Sequence, residues 1–130
     1  MCPFECENAD AIILDITFTE EYPVAAPKFK LSERDVARIY HPNVSDAGSI
    51  CQVTVTKSQE NSLTVRERLD AFVNLLSHPN PDSPYDGECA KLIKTNKRLY
   101  YRLAKAVFTG EITKQEAKNQ CKKFLSTLQK

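Results

Sequence analysis

The chain has 130 residues, 42% hydrophobic and 27% charged, with a formal net charge of +1. That length holds one core and leaves no room for a second domain. The near-neutral charge gives no case for a nucleic-acid partner, no apolar run approaches the ~20 residues of a membrane span, and residues 1–10 lack the basic start and apolar centre of a secretory signal.

Ala11–Phe18 alternates, with Ile12, Leu14, Ile16 and Phe18 on one face and Ile13, Asp15 and Thr17 on the other, which predicts a strand. Thr19–Ala26, with Tyr22 and Pro23, predicts a turn. Pro27–Leu31 predicts a second strand, with Phe29 and Leu31 inward and Lys28 and Lys30 outward. Ser32–Val36 is polar and reads as a loop, and the irregular run His41–Cys51 is bent by Pro42 and Gly48. Thr64 and Glu67 form a capping box ahead of the stripe Val65, Leu69, Phe72, Val73 and Leu76. That helix must stop before Pro79, and Pro79, Pro81 and Pro84 make a rigid loop. Helices are predicted over Gly87–Lys94 and Asn96–Phe108, the second carrying Leu99, Leu103 and Val107 and stopped by Gly110. Thr113 and Glu116 cap a last helix whose apolar face is Ala117, Cys121, Phe124 and Leu128. Two strands, an irregular segment and four helices make an α/β (α+β) domain without internal repeats.

Charge is unevenly spread: residues 1–85 carry 7 Lys/Arg against 13 Asp/Glu, and residues 86–130 carry 11 against 4. Such a split ordinarily shapes two solvated surfaces; its functional version is a basic C-terminal face that docks an acidic partner. The five Cys (Cys2, Cys6, Cys51, Cys89 and Cys121) are odd in number and irregularly spaced, which favours a reducing cytoplasmic or nuclear compartment. Cys2 and Cys6 have no second pair and the chain has only two His, so no metal site is expected.

The segment Ile39–Cys51, Ile-Tyr-His-Pro-Asn-Val-Ser-Asp-Ala-Gly-Ser-Ile-Cys, puts an amide and a thiol on one short stretch. A thiolate is a good nucleophile, its thioester is a reactive acyl donor, and a fixed amide N–H can stabilise the oxyanion formed when that thioester is attacked. The His-Pro-Asn triplet with a Cys ten residues after the His resembles the ubiquitin-conjugating enzymes. Three further blocks resemble that family: Ala11–Leu31 with Tyr22-Pro23 and Ala26-Pro27-Lys28, Leu63 through Pro79-Asn80-Pro81-Asp82-Ser83-Pro84, and Glu88–Thr109 with Asn96, Leu99, Tyr100 and Ala104.

The resemblance implies that Cys51 takes ubiquitin or a ubiquitin-like protein from an activating enzyme as a thioester. A lysine amine, positioned by a ubiquitin ligase, then attacks it. Asn43 matches the asparagine that steadies the oxyanion or orders the nearby loop, with His41 and Pro42 holding it in place, His41 through hydrogen bonds to backbone. Ser83 lies where the family has Asp or Ser beside the nucleophile, and Tyr85 where a smaller apolar gate is common. Val24 and the Gln59–Ser62 loop, with Asn61 and Ser62, match the two ligase-touching loops. No cofactor is implied.

The family normally begins with a helix and two strands, where this chain has residues 1–10. The resemblance therefore implies a partial core over residues 11–109 and a helical extension over 110–130. The final helix then either covers bared apolar surface or binds a partner, and an exposed sheet edge invites a homodimer. The usual Trp after the nucleophile is absent. Each site residue has a plainer reading: a free Cys is usually a small buried hydrophobe, and Asn43 or Ser83 beside a proline is usually turn chemistry. Two functional readings follow, a conjugating transferase working through Cys51 and Asn43, or an uncharged module that binds ubiquitin or a ligase. A thiol hydrolase would need His41 or His78 as an oriented base.

Overall fold

The computed structural model describes residues 2–4, 11–21, 24, 27–50, 64–82 and 84–128. Strands β1 (Leu14–Thr17) and β2 (Lys28–Leu31) pair antiparallel, with Leu14 opposite Leu31 and Thr17 opposite Lys28. The period of two sets the faces as expected, since Phe29 and Leu31 are buried while Lys28 and Lys30 are exposed. Phe18 departs from the expectation: it lies beyond the end of β1 and is exposed.

Ser32–Val36 is not a loop. It forms a one-turn helix, α1 (Glu33–Val36), because Asp35 gives it a buried anchor. The Asp35 carboxylate accepts from the Ile13 backbone N–H, from Ser32 Oγ at 2.9 Å and from Arg38 Nη1 at 2.6 Å. Burial alone would raise its pKa, but the Ile13 N–H, Arg34, Arg38 and Ser32 together hold the carboxyl below its ordinary 3.8. A polar run with a buried, fully engaged acid reads as a loop from composition because the partner 22 residues earlier is invisible in the local pattern.

The irregular segment then folds back on β2. Leu31 N–H donates to Gly48 O at 2.9 Å, and Lys30 bridges Ser49. A tight turn is closed by Ser45 N–H to Ser49 O at 2.9 Å and Gly48 N–H to Ser45 O at 3.0 Å. After residue 63 come four helices: α2 (Val65–Ser77), α3 (Gly87–Thr95), α4 (Lys97–Thr109) and α5 (Lys114–Thr127). Both capping boxes form, at Thr64 with Glu67 and at Thr113 with Glu116. In α2 the buried row is Arg68, Phe72, Leu75 and Leu76, and Val73 is exposed. The expected stripe is thus rotated by about one residue, the buried Arg68 taking a place that hydrophobic patterning assigns to apolar side chains.

Helices α3, α4 and α5 pack on one another, with Ala117 and Cys121 of α5 buried. Leu128 follows the last turn of α5 and is exposed. Helix α5 also fastens the turn: Lys118 Nζ reaches both Asp46 oxygens at 2.8 and 2.9 Å, and Lys114 Nζ donates to Val36 O at 3.1 Å. Phe4, near the start of the chain, is buried against Phe108 and His41. Among the described residues no helix is long and apolar enough to cross a membrane.

Gly48 has φ +90°, and a Cβ there would meet Leu31 O and Val36 Cγ2, both at 2.9 Å. Gly110 has a similar φ, +86°, and open space. Gly48→Ala is therefore expected to cost roughly 2–4 kcal/mol, from a disfavoured backbone plus overpacking, and Gly110→Ala only about 1 kcal/mol. Urea unfolding of the two variants checks the ranking.

Candidate functional site

Residues 40–43 sit between α2, the start of α3, α4 and the proline-rich loop, and each is tied to another part of the chain. Tyr40 O accepts from the Tyr100 hydroxyl of α4 at 3.1 Å. Pro42 O accepts from the backbone N–H groups of Tyr85 and Asp86, at 2.8 and 3.1 Å, just ahead of α3. His41 reaches Leu75 O of α2 at 2.8 Å through Nε2 and Asn43 N–H at 3.0 Å through Nδ1.

Those two partners fix the histidine's chemistry. A carbonyl only accepts, so Nε2 carries the proton; a backbone N–H only donates, so Nδ1 offers its lone pair. His41 is a neutral imidazole, 1% exposed, and burial lowers its pKa from 6.5 to about 4 against a weaker upward pull from the Leu75 carbonyl. Protonating Nδ1 would set one N–H against another. Both ring nitrogens are committed, which removes His41 as the base of a thiol hydrolase. His78 is exposed, with Nδ1 3.3 Å from Asn74 O.

Asn43 is fully buried and faces the proline-rich loop. Its Nδ2 donates to Asn80 O at 2.8 Å, and its Oδ1 accepts from Asn80 N–H at 2.9 Å. Asn80 lies between Pro79 and Pro81, so the reciprocal pair fixes the one residue there that can both donate and accept through its backbone. Asn80 Oδ1 in turn accepts from Asp82 N–H at 3.1 Å, carrying the order one step further. Sequence reasoning missed Asn80 and Leu75 as partners because both act through backbone atoms, which no side-chain pattern announces.

Cys51, Ser83, Asn61 and Ser62 lie outside the described residues. The described chain reaches Ile50, buried and bridged to Val44. Val24 is exposed, and Tyr85 is half-exposed at the edge of a cavity of about 550 Å³ that also touches Tyr40, Asp86 and Cys121. Cys89 and Cys121 are buried. Burial and then the Asp86 charge raise the Cys89 thiol, and burial raises the Cys121 thiol. Neither is a thiolate near neutral pH, so two of the five cysteines are removed as nucleophiles. Among the described residues no cluster of three or more His, Cys, Asp or Glu could hold a metal ion.

A family model described as ubiquitin-conjugating enzyme matches residues 8–108. Among solved structures, the chain is similar to a Plasmodium yoelii protein described as a "putative ubiquitin conjugating enzyme", with 36% identity and a TM-score of 0.68 over 84% of this chain and 67% of that one.

The buried neutral His41 has a consequence for acid stability. The unfolded chain binds this proton near pH 6.5 and the folded chain only near 4, so the contribution is full above 6.5 and declines as pH falls towards 4. The loss across that window is about 3 kcal/mol. Asp35, held below 3.8, gives up its contribution only at lower pH. His41→Gln is expected to be less stable at pH 7 yet to show a flatter stability–pH curve between 6.5 and 4, measured by urea unfolding.

Proposed function

This chain belongs to the ubiquitin-conjugating enzyme family, and on that footing we propose that Cys51 carries ubiquitin or a ubiquitin-like protein as a thioester and passes it to a lysine amine. The Cys51 thiolate attacks the thioester carbonyl of the charged activating enzyme, whose own thiolate leaves. A neutral lysine amine then attacks the new thioester carbonyl, the C–S bond breaks, and Cys51 departs as thiolate while the amine proton passes to solvent. An isopeptide bond results. The sequence elements behind this reading are Cys51 and the surrounding Ile39–Cys51 motif.

The observation that carries the reading is the reciprocal hydrogen-bond pair between Asn43 and the Asn80 backbone. It favours Asn43 as the residue that orders the proline-rich loop, a positioning role that would lower the reorganisation needed at attack. Full burial, with both polar ends of the carboxamide bonded to Asn80, supports this ordering role over direct contact with the oxyanion. His41 serves by fixing Asn43 and takes no part in proton transfer. Ser83 assists the incoming lysine by hydrogen bonding, and phosphorylation there would add about −1.5 to −2 charge. Val24, Asn61 and Ser62 are the residues assigned to contact with a ligase, on the strength of the sequence resemblance. A thiol that must stay reduced suits a cytoplasmic or nuclear setting.

Incubation with an activating enzyme, ATP and a set of ubiquitin-like proteins tests this on non-reducing gels. A thiol-sensitive band is expected, absent in Cys51→Ala and converted to a thiol-stable ester in Cys51→Ser. Asn43→Ala should still charge but discharge to lysine about ten- to a hundredfold more slowly. No band from folded wild-type protein with any modifier would replace this reading with that of an uncharged binding module.

A further inference from the structure

Helix α4 turns its buried row, Tyr100, Leu103, Ala104, Val107 and Phe108, into the core. Arg98 and Arg102 lie two residues either side of Tyr100, so each sits about 160° round the helix from it. Lys105, three residues after Arg102, continues that outward face. All three cations are exposed. Among the described residues none of the three has a carboxylate partner, whereas Arg34, Arg38, Lys94, Lys114 and Lys118 each have one. Lys105 has the Tyr101 ring 5.9 Å from its ammonium. The helix contains no Asp or Glu, and its first turn holds Lys97 and Arg98, the wrong sign for the helix dipole. Arg98 and Arg102 repel at i,i+4, and Arg102 and Lys105 at i,i+3. The helix gains nothing from this arrangement, and an anion from outside relieves it.

We propose that Arg98, Arg102 and Lys105 form a docking surface for an acidic segment of a partner protein, a run of Asp and Glu side chains. The proposal holds whether or not Cys51 is charged. The rise from Arg98 to Lys105 is about 10 Å, which about three residues of extended peptide span. The two guanidinium forks match carboxylates in bidentate geometry. A short acidic segment fits better than a long polyanion, because residues 1–85 carry 13 Asp/Glu against 7 Lys/Arg. That excess repels a nucleic acid or an anionic bilayer wherever it extends past the α4 face. The surface also faces away from Tyr40, which Tyr100 bonds from the inner side of the same helix. A partner held there leaves the Tyr40–Asn43 stretch undisturbed.

Fluorescence anisotropy of the whole chain with a labelled oligo-glutamate peptide tests this, with oligo-glutamine as the uncharged control. Oligo-glutamate should bind, oligo-glutamine should not, and added salt should weaken the binding. Arg98→Gln combined with Arg102→Gln should weaken it about tenfold, the scale of two exposed charge pairs acting together. Lys122→Gln combined with Lys123→Gln removes the same charge from the exposed side of α5, and should leave binding within about twofold of wild type. Arg98→Lys with Arg102→Lys keeps the charge and should retain most of the affinity. Urea unfolding should show the Arg98→Gln, Arg102→Gln variant at least as stable as wild type, since it loses a repulsion; a less stable variant contradicts the repulsion on which the proposal rests. No binding of oligo-glutamate overturns the proposal. Equal losses in the two Gln double variants also overturn it, by marking an unspecific response to net charge. Tighter binding of single-stranded RNA, or of vesicles containing phosphatidylserine, than of oligo-glutamate overturns the acidic segment as the occupant.

Discussion

The structure depends on the hydrogen bonding of four consecutive residues, Tyr40 to Asn43. Their backbone and side-chain groups reach α4 through Tyr100, α2 through Leu75, the start of α3 through Tyr85 and Asp86, and the proline loop through Asn80. All four residues are buried, so any one of these groups left unpaired would cost about 1–3 kcal/mol. The segment has no regular secondary structure to satisfy it. Its partners come from elements far along the chain, which is how one short stretch sets the relative positions of three helices and a loop.

The rest of the fold holds that stretch in place. Gly48 permits the close approach to β2 behind it, and Lys114 and Lys118 of α5 tie down Val36 and Asp46. Phe4 covers the His41 ring from one side. Asp35 joins the residue before β1 to α1. The exposed lysine–aspartate contacts are individually weak. The buried neutral pairs at His41 and Asn43 are the strong constraints, because neither group has water as an alternative partner. The C-terminal helix is therefore an integral part of the packing, with its Ala117–Cys121 face inside and its lysines bracing the turn.

Much of this was legible in the sequence for identifiable reasons. Period-two alternation gave Phe29 and Leu31 their inward face, and the Thr-x-x-Glu pairs marked the starts of α2 and α5. Gly110 ended α4 in the left-handed conformation expected of it. What escaped were placements that the local sequence pattern does not announce. Asp35 made a helix of a polar loop, Arg68 turned the buried face of α2 away from Val73, and Phe4 entered the core from a segment with no periodicity. At the candidate site, the His-Pro-Asn triplet singled out His41 and Asn43. Asn80 and Leu75 were silent, since they participate through the backbone.

Chemically, a neutral, buried histidine and a buried amide supply order without titrating near neutral pH. The central claim is that the Asn43 carboxamide ties the proline loop to the body of the fold at Asn80. Amide hydrogen exchange at Asn80, in wild type and in Asn43→Leu, tests it most directly. The account predicts a protected Asn80 amide in wild type that loses its protection in the variant, with the amides of α4 unchanged. An Asn80 amide that exchanges freely in wild type, or stays equally protected without the Asn43 carboxamide, would contradict it.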